Sequence, residues 1–355
     1  MGNHETLETI KMAEAKREIS FQHDLYGAPQ ELCPPPSASG SSHTNAKRDS
    51  SETLVRKGVL PAVDLTEVSS PYRSGKVAAS KDLNHNHEGE FKEMHLHNRP
   101  ENHAGADALV YVRKDFDPGQ PVHLLIYNHG LGSTVSSALE RNQIKEMMAN
   151  AQANTILVLP EWQAIPGSRN GSSGTFAQQD KFTDMVQEIM QKTPALHGAT
   201  LDNVDRVDII AHSAGYSPTE AEIYKNPALS AKVHSITLLD ALYDRHGFDK
   251  WLGNNIHDLS TGSKQFFNFS NGSTADNSRE QAKLVASMLR HKRLSLHNYA
   301  ADYGSSKRHV DRHAAEMAKR SIVFASTTTG HFEIPGQYIG PTLAALNPER
   351  EQASA

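Results

Sequence analysis

Val204 to Tyr224 reads V-D-R-V-D-I-I-A-H-S-A-G-Y-S-P-T-E-A-E-I-Y, and it sets a serine where nucleophilic chemistry is possible. Val207 to Ala211 is short, mostly apolar and β-branched, the pattern of a strand buried on both faces. His212, Ser213, Ala214 and Gly215 then turn sharply into residues with helical spacing: Ala221, Ile223 and Tyr224. A serine on such a turn stands clear at the carboxyl end of its sheet. The free N–H groups of the new helix start point at the same place. Close approach at the turn demands small neighbours, here Ala211 and Gly215. A serine hydroxyl is a poor nucleophile until a base takes its proton, and an imidazole is the usual base. Gly330-His331-Phe332, late in the chain, supplies one.

The surrounding pattern shows what must position these groups. Phe91–His97 and Ala108–Arg113 read as two strands. Val122–Tyr127 is a buried strand ending in Asn128-His129-Gly130-Leu131-Gly132-Ser133. A helix around Ser137–Met148 precedes the strand Thr155–Leu159, which ends at Pro160-Glu161-Trp162. The Gly- and Ser-rich loop Pro166–Gly174 leads to a helix near Asp180–Lys192 and then to the serine strand. Ser235–Leu239 ends at Asp240. Phe266–Phe269 precedes a helix over Ser278–Arg290, and Leu294–Lys319 reads as a polar surface helix and loop excursion near the histidine. Ser321–Ser326 delivers Thr327 to His331. Strand and helix alternate from Val122 onward, which predicts an α/β fold: a mainly parallel twisted sheet with helices on both faces. In such sheets functional residues gather beyond the carboxyl ends of the strands. Four predicted strand ends carry His-Gly-Leu-Gly, Ser, Asp and His.

Together these features resemble the α/β-hydrolase superfamily, over about Phe91 to Leu346. Three stretches carry the resemblance: A-H-S-A-G, a one-position variant of the G-x-S-x-G nucleophile elbow; His129-Gly130-Leu131-Gly132, similar to the family's oxyanion loop; and Gly330-His331 past the last strand. The order Ser, acid, His along the chain is also the family's. The resemblance implies Ser213 as nucleophile, His331 as general base and Asp240 as the acid that orients it. It implies the N–H groups of Ala214 and Leu131 as oxyanion donors, with Gly130 and Gly132 letting the loop come close.

The acid has rivals. Most members of the family carry it one strand later, where Asp276 lies; some lipase-like members use the earlier position that Asp240 matches. Asp276 also suits capping of the helix that follows it. Asp240 is preferred, with Asp244 third. Glu161, Trp162, Tyr216 and Tyr243 are candidate pocket walls, and His129 is read as supporting its own turn. Trp251 reads as packing. The stretch between Asp240 and Lys264 is too short for a large lid.

Residues 1–88 form a polar N-terminal region in which Met1–Phe21 has helical character. The run Pro34–Pro36 and the serine-rich Ser37–Ser51 predict a largely disordered chain. The hydrolase domain is expected over 89–346 and a tail over 347–355. His85, His87, His95 and His97 include an H-x-H spacing that some metal sites use, but no ordered carboxylate or thiolate set accompanies them, so no metal is expected. No other cofactor is implied. The one cysteine, Cys33, excludes an internal disulfide framework. With a net charge of −5 and no basic stripe, nucleic acid is an unsuited partner.

Mean hydropathy is −0.56, and no apolar run is long enough to predict a transmembrane span. The first twenty residues lack a signal-peptide core, although Gly2 and Thr6 fit the loose myristoylation pattern, and a cytoplasmic setting is the expectation. The oligomeric state is left open. The expected activity is hydrolysis of an ester, amide or peptide bond in a small-molecule or peptide substrate. The alternatives are acyl transfer on the same residues and a non-catalytic binding protein of the same fold.

Overall fold

Apolar runs rich in Val, Ile, Leu and Phe, each bounded by turn-forming residues, build one sheet in this computed structural model. It describes residues 89–98, 105–142, 144–148, 151–162, 174–303 and 309–347. The chain divides into Met1–Val77 and Ala78–Ala355, and every described residue lies in the second unit. The expectations for residues 1–88 (His85 and His87 included), for most of the Pro166–Gly174 loop and for the tail beyond Asn347 lie outside the described residues.

The strands are β1 (Gly89–Met94), β2 (Ala108–Arg113), β3 (Val122–Asn128), β4 (Thr155–Pro160), β5 (Val204–His212), β6 (Val233–Leu239), β7 (Gln265–Ser270), β8 (Tyr299–Asp302) and β9 (Ile322–Ser326). They lie in the order β1-β2-β4-β3-β5-β6-β7-β9-β8. β2 runs antiparallel to both β1 and β4, and every other pair is parallel. This is the α/β-hydrolase fold that the sequence resembled. Because β3, β5, β6 and β9 all point the same way, their carboxyl ends share one edge.

Side chains alternate across the strands and so feed two cores. Leu124 and Ile126 of β3, with Val207 and Ile209 of β5, join one layer. Leu125 and Tyr127, with Ile210, join the other. The first layer is covered by α2 (Lys181–Lys192), α3 (Tyr216–Lys225), α4 (Asp249–Asn254), α5 (Ile256–Thr261) and α6 (Ala275–His291). The second is covered by α1 (Val135–Arg141), α7 (His309–Met317) and α8 (Ile334–Ala345). Each fully buried Leu, Ile or Phe contributes roughly 1.5–3 kcal/mol over its exposed state. Trp251, 3% exposed, is packing as expected.

Two expectations need correction. Leu294–Lys319 is more than a surface excursion: Tyr299–Asp302 pairs with β9 as a parallel edge strand, and α7 buries His313 and Met317 against the second layer. The helix expected around Ser137–Met148 is two pieces, α1 and a short Ile144–Met147 turn, with Asn142 at the α1 C-cap. Among the described residues no helix is long and apolar enough to cross a membrane.

Candidate active site

β5 runs into a 3-10 turn at Ser213–Gly215 and then into α3. Ser213 sits at φ +52°, the left-handed region that a side chain enters only at a cost of about 1–3 kcal/mol. The neighbours hold it there. A Cβ on Gly215 would stand 2.3 Å from the Asn128 carbonyl oxygen, so only glycine fits beneath the elbow. Ala211 is fully buried between Asn128 of β3 and Leu238 of β6, and its methyl is tolerated where the common motif has glycine.

The three side chains picked from distant parts of the chain meet. His331 Nε2 lies 2.8 Å from Ser213 Oγ, and His331 Nδ1 lies 2.6 Å from Asp240 Oδ2. An ionised carboxylate only accepts, so the ring proton belongs on Nδ1, which leaves Nε2 free to accept from the serine hydroxyl. Asp240 is itself at φ +49° and 3% exposed. Its second oxygen, Oδ1, accepts from the Asn271 N–H at 2.8 Å and from the Thr274 hydroxyl. Asp276 is elsewhere: its side chain is 90% exposed and pairs with Arg279 at 2.6 Å. It lies in the first turn of α6, while the N-cap residue is Thr274, whose hydroxyl turns to Asp240 instead of capping the helix. Asp244 accepts from the His246 N–H.

The loop after β3 lies against the elbow. A Cβ on Gly130 would come within 3.0 Å of both Ser213 Cβ and His212 Nδ1, so a glycine is needed for the approach. Leu131 follows, half-buried, and Gly132 takes φ +75°. His129 holds this turn, as expected: Nδ1 donates to the Gly130 carbonyl at 3.0 Å, and Nε2 stands 3.3 Å from Glu161 Oε1. Glu161 Oε2 accepts the Val135 N–H at 2.9 Å, which ties the start of α1 to the end of β4. Glu161 is therefore buried support. Trp162, expected as a wall, is in the core against Phe176 and Phe182.

Beneath the elbow, Asn128 Nδ2 donates to Thr219 Oγ1 at 2.7 Å and to Glu222 Oε2 at 2.9 Å, joining β3 to α3. Burial pushes the Glu222 carboxyl well above the usual carboxylate range. Tyr243, by contrast, does reach the site. Its hydroxyl is 3.4 Å from Ser213 Oγ, and its ring lies 5.6 Å from that of Tyr216. Burial raises the Tyr243 phenol, which stays protonated. Phe332, 61% exposed, meets the His331 ring edge-on at 5.1 Å.

Sequence reasoning missed the Asn271 and Thr274 contacts and any role for His212. Only the small residues around Ser213 hinted at how tightly it is enclosed. His95 and His97 engage different carboxylates: Asp107 at 3.9 Å and Glu188 at 2.9 Å. Among the described residues, no group of three or more His, Cys, Asp or Glu side chains could hold a metal ion.

No protein-family model matches the chain, and no curated protein matches it by sequence. Solved structures do resemble it at low identity. A feruloyl esterase module from Clostridium thermocellum is 14% identical over 74% of this chain and 90% of its own, with a TM-score of 0.47. A fluorophosphonate-binding serine hydrolase from Staphylococcus aureus is 10% identical over 73% and 99%, at 0.41. An S-formylglutathione hydrolase from Agrobacterium tumefaciens is 14% identical over 68% and 89%, at 0.36.

Proposed function

We propose that the protein is a serine hydrolase that cleaves a carboxylic ester through an acyl-enzyme. The observation that carries this reading is the continuous hydrogen-bond chain from Ser213 through His331 to Asp240 at the carboxyl edge of the sheet. In the first half-reaction Ser213 Oγ bonds to the carbonyl carbon as its proton passes to His331 Nε2. Asp240 stabilises the resulting imidazolium. The oxyanion faces the N–H groups of Ala214 and Leu131, a setting in which each donor is worth roughly 3 kcal/mol. As the carbon–oxygen bond to the leaving group breaks, His331 gives that alkoxide its proton. Water then attacks the acyl carbon while His331 takes a proton. The bond to Oγ breaks, and the proton returns to Ser213.

A fluorophosphonate probe followed by peptide mapping tests this. Labelling of Ser213 in the folded protein, abolished in Ser213→Ala, is expected. Folded wild-type protein that neither labels nor hydrolyses any of a panel of short- and long-chain esters would sink the reading and favour a binding role.

A further inference from the structure

The residue before the nucleophile is also a histidine, and it faces the base rather than solvent. His212 is 4% exposed, and its Nε2 lies 3.0 Å from the backbone carbonyl oxygen of His331. A carbonyl can only accept, so the proton is on Nε2 and the ring is the donor. The two imidazole rings lie 4.8 Å apart, tilted by 37°. On its other side, His212 Nδ1 is 3.0 Å from where a Cβ on Gly130 would stand. One buried ring thus touches the loop that would bind the oxyanion and the loop that carries the base, while its own backbone leads into the nucleophile.

We infer that His212 is a positioning residue, which holds the His331 backbone so that the imidazole meets Ser213 and Asp240 at once. Nothing else in the elbow could do this. Ala211, Ala214 and Gly215 have no side-chain donor, and the Ser213 hydroxyl is committed to His331 Nε2. The His331 loop has other restraints: Asn271 Nδ2 donates to the Thr329 carbonyl at 2.7 Å, and the Glu333 N–H donates to the Gly330 carbonyl at 2.9 Å. Those hold the Thr329 carbonyl and the Gly330 carbonyl, which also accepts the Ile334 N–H at 3.2 Å, whereas among these contacts the bond from His212 is the one made to the base's own carbonyl. Burial, with the nearby His331, pulls the His212 imidazole down to about 4, so it stays neutral and adds no charge against an imidazolium at His331.

The inference rests on the serine-hydrolase reading, and its test uses side-chain length as the variable. In His212→Gln an amide nitrogen can still reach the position of Nε2; in His212→Asn it is too short; His212→Phe keeps a ring but no donor. Steady-state hydrolysis of an ester that the wild type cleaves is measured for each. Alongside it runs the low-field proton resonance of His331 Nδ1–H against Asp240.

The Asn and Phe variants are expected to lose about 10²-fold in kcat, with KM within about twofold and the resonance broadened or lost. That is the scale of a base misplaced by about an ångström. The Gln variant should keep the resonance and recover to within about tenfold of wild type. Equal kcat in the Gln and Asn variants, or an unshifted resonance in Asn, would overturn the inference. Should the Phe variant not fold, the Gln–Asn pair decides alone. If the wild type itself neither labels nor turns over, the failure belongs to the functional reading instead.

Discussion

The elbow, Ala211 to Gly215, and the histidine loop, Thr327 to Phe332, bring two side chains to 2.8 Å from each other but are held by different physics. Every elbow residue is buried. β3 and β6 flank β5 on both sides, and the backbone of Asn128 presses directly on Gly215. Packing therefore fixes the nucleophile, with a strained φ at Ser213 that only a closely packed surround can sustain. The histidine loop is more open: the His331 side chain is 28% exposed and Phe332 is 61% exposed. Hydrogen bonds aim its imidazole, from Asp240 on the ring and from His212 and Asn271 on the backbone. The nucleophile is placed by volume and the base by a network. Changes of volume should damage the first, and loss of donors should damage the second.

The largest effect belongs to the pair that spans the two regions. Ser213→Ala and His331→Ala are each expected to lower kcat by about 10⁶-fold, and the double variant should be hardly worse, since residues that act as a unit are not additive. Initial-rate measurements on the three proteins check this. Losses that multiply would show the two side chains working independently.

Next comes the network alone. Asp240→Asn keeps the shape but offers the imidazole the wrong partner, and a loss of about 10⁴-fold in kcat is expected without a change in thermal stability of comparable weight. Thr274→Val removes one of the two donors to Asp240 Oδ1 and should cost far less, about tenfold. If both variants melted early and lost activity in proportion, the base would be held by packing after all.

On the elbow side, Gly215→Ala should act through stability. The added methyl meets backbone, which cannot swing aside as a side-chain tip can. An overpacking cost of about 2–3 kcal/mol is expected by chemical denaturation. Activity should fall as well, because the end of β3 that must yield leads directly into Gly130. Full stability in this variant would mean that the elbow has slack.

The same contrast explains what was legible in the sequence. Parallel strands put their carboxyl ends on one edge, so the stretches just past the apolar runs, together with the resemblance to the α/β-hydrolase superfamily, gathered Ser213, Asp240 and His331. The enclosing small residues, Gly130 and Gly215, were visible for the same reason. The choice between Asp240 and Asp276 followed from strand position, and burial separates the two in the fold. Contacts that run between loops left no periodic trace. Thr274 resembles an ordinary helix cap, and Trp162 follows a strand end as a pocket residue does. His212 looks like a spacer in the motif. β8 was missed because Y-A-A-D is short and its residues are half-buried or exposed, so its apolar signal is weak against a charged background. Its place comes from pairing with β9, a partner about twenty residues away.

The smallest effect separates two buried groups that flank the elbow and titrate with opposite sign. Burial raises the Glu222 carboxyl well above its ordinary value, so its contribution to stability is full in acid and is lost as pH rises through the raised value. Burial, chiefly, lowers the His212 imidazole from 6.5 to about 4. Its contribution is therefore full above 6.5 and is lost as pH falls from there toward 4. Glu222→Gln should gain stability relative to wild type as the solution becomes alkaline, and His212→Gln should gain relative to wild type as it becomes acidic. The two slopes are expected to be of opposite sign, that of His212→Gln on the order of 1 kcal/mol across the acid limb after allowance for relaxation in the folded state. Thermal melts of the three proteins between about pH 4 and pH 9 measure both slopes at once. A flat difference for Glu222→Gln would mean that the carboxyl is ionised beside Asn128. A flat difference for His212→Gln would mean that the imidazole takes up its proton as readily in the folded protein as in the unfolded chain, so that burial does not hold it neutral beneath the base.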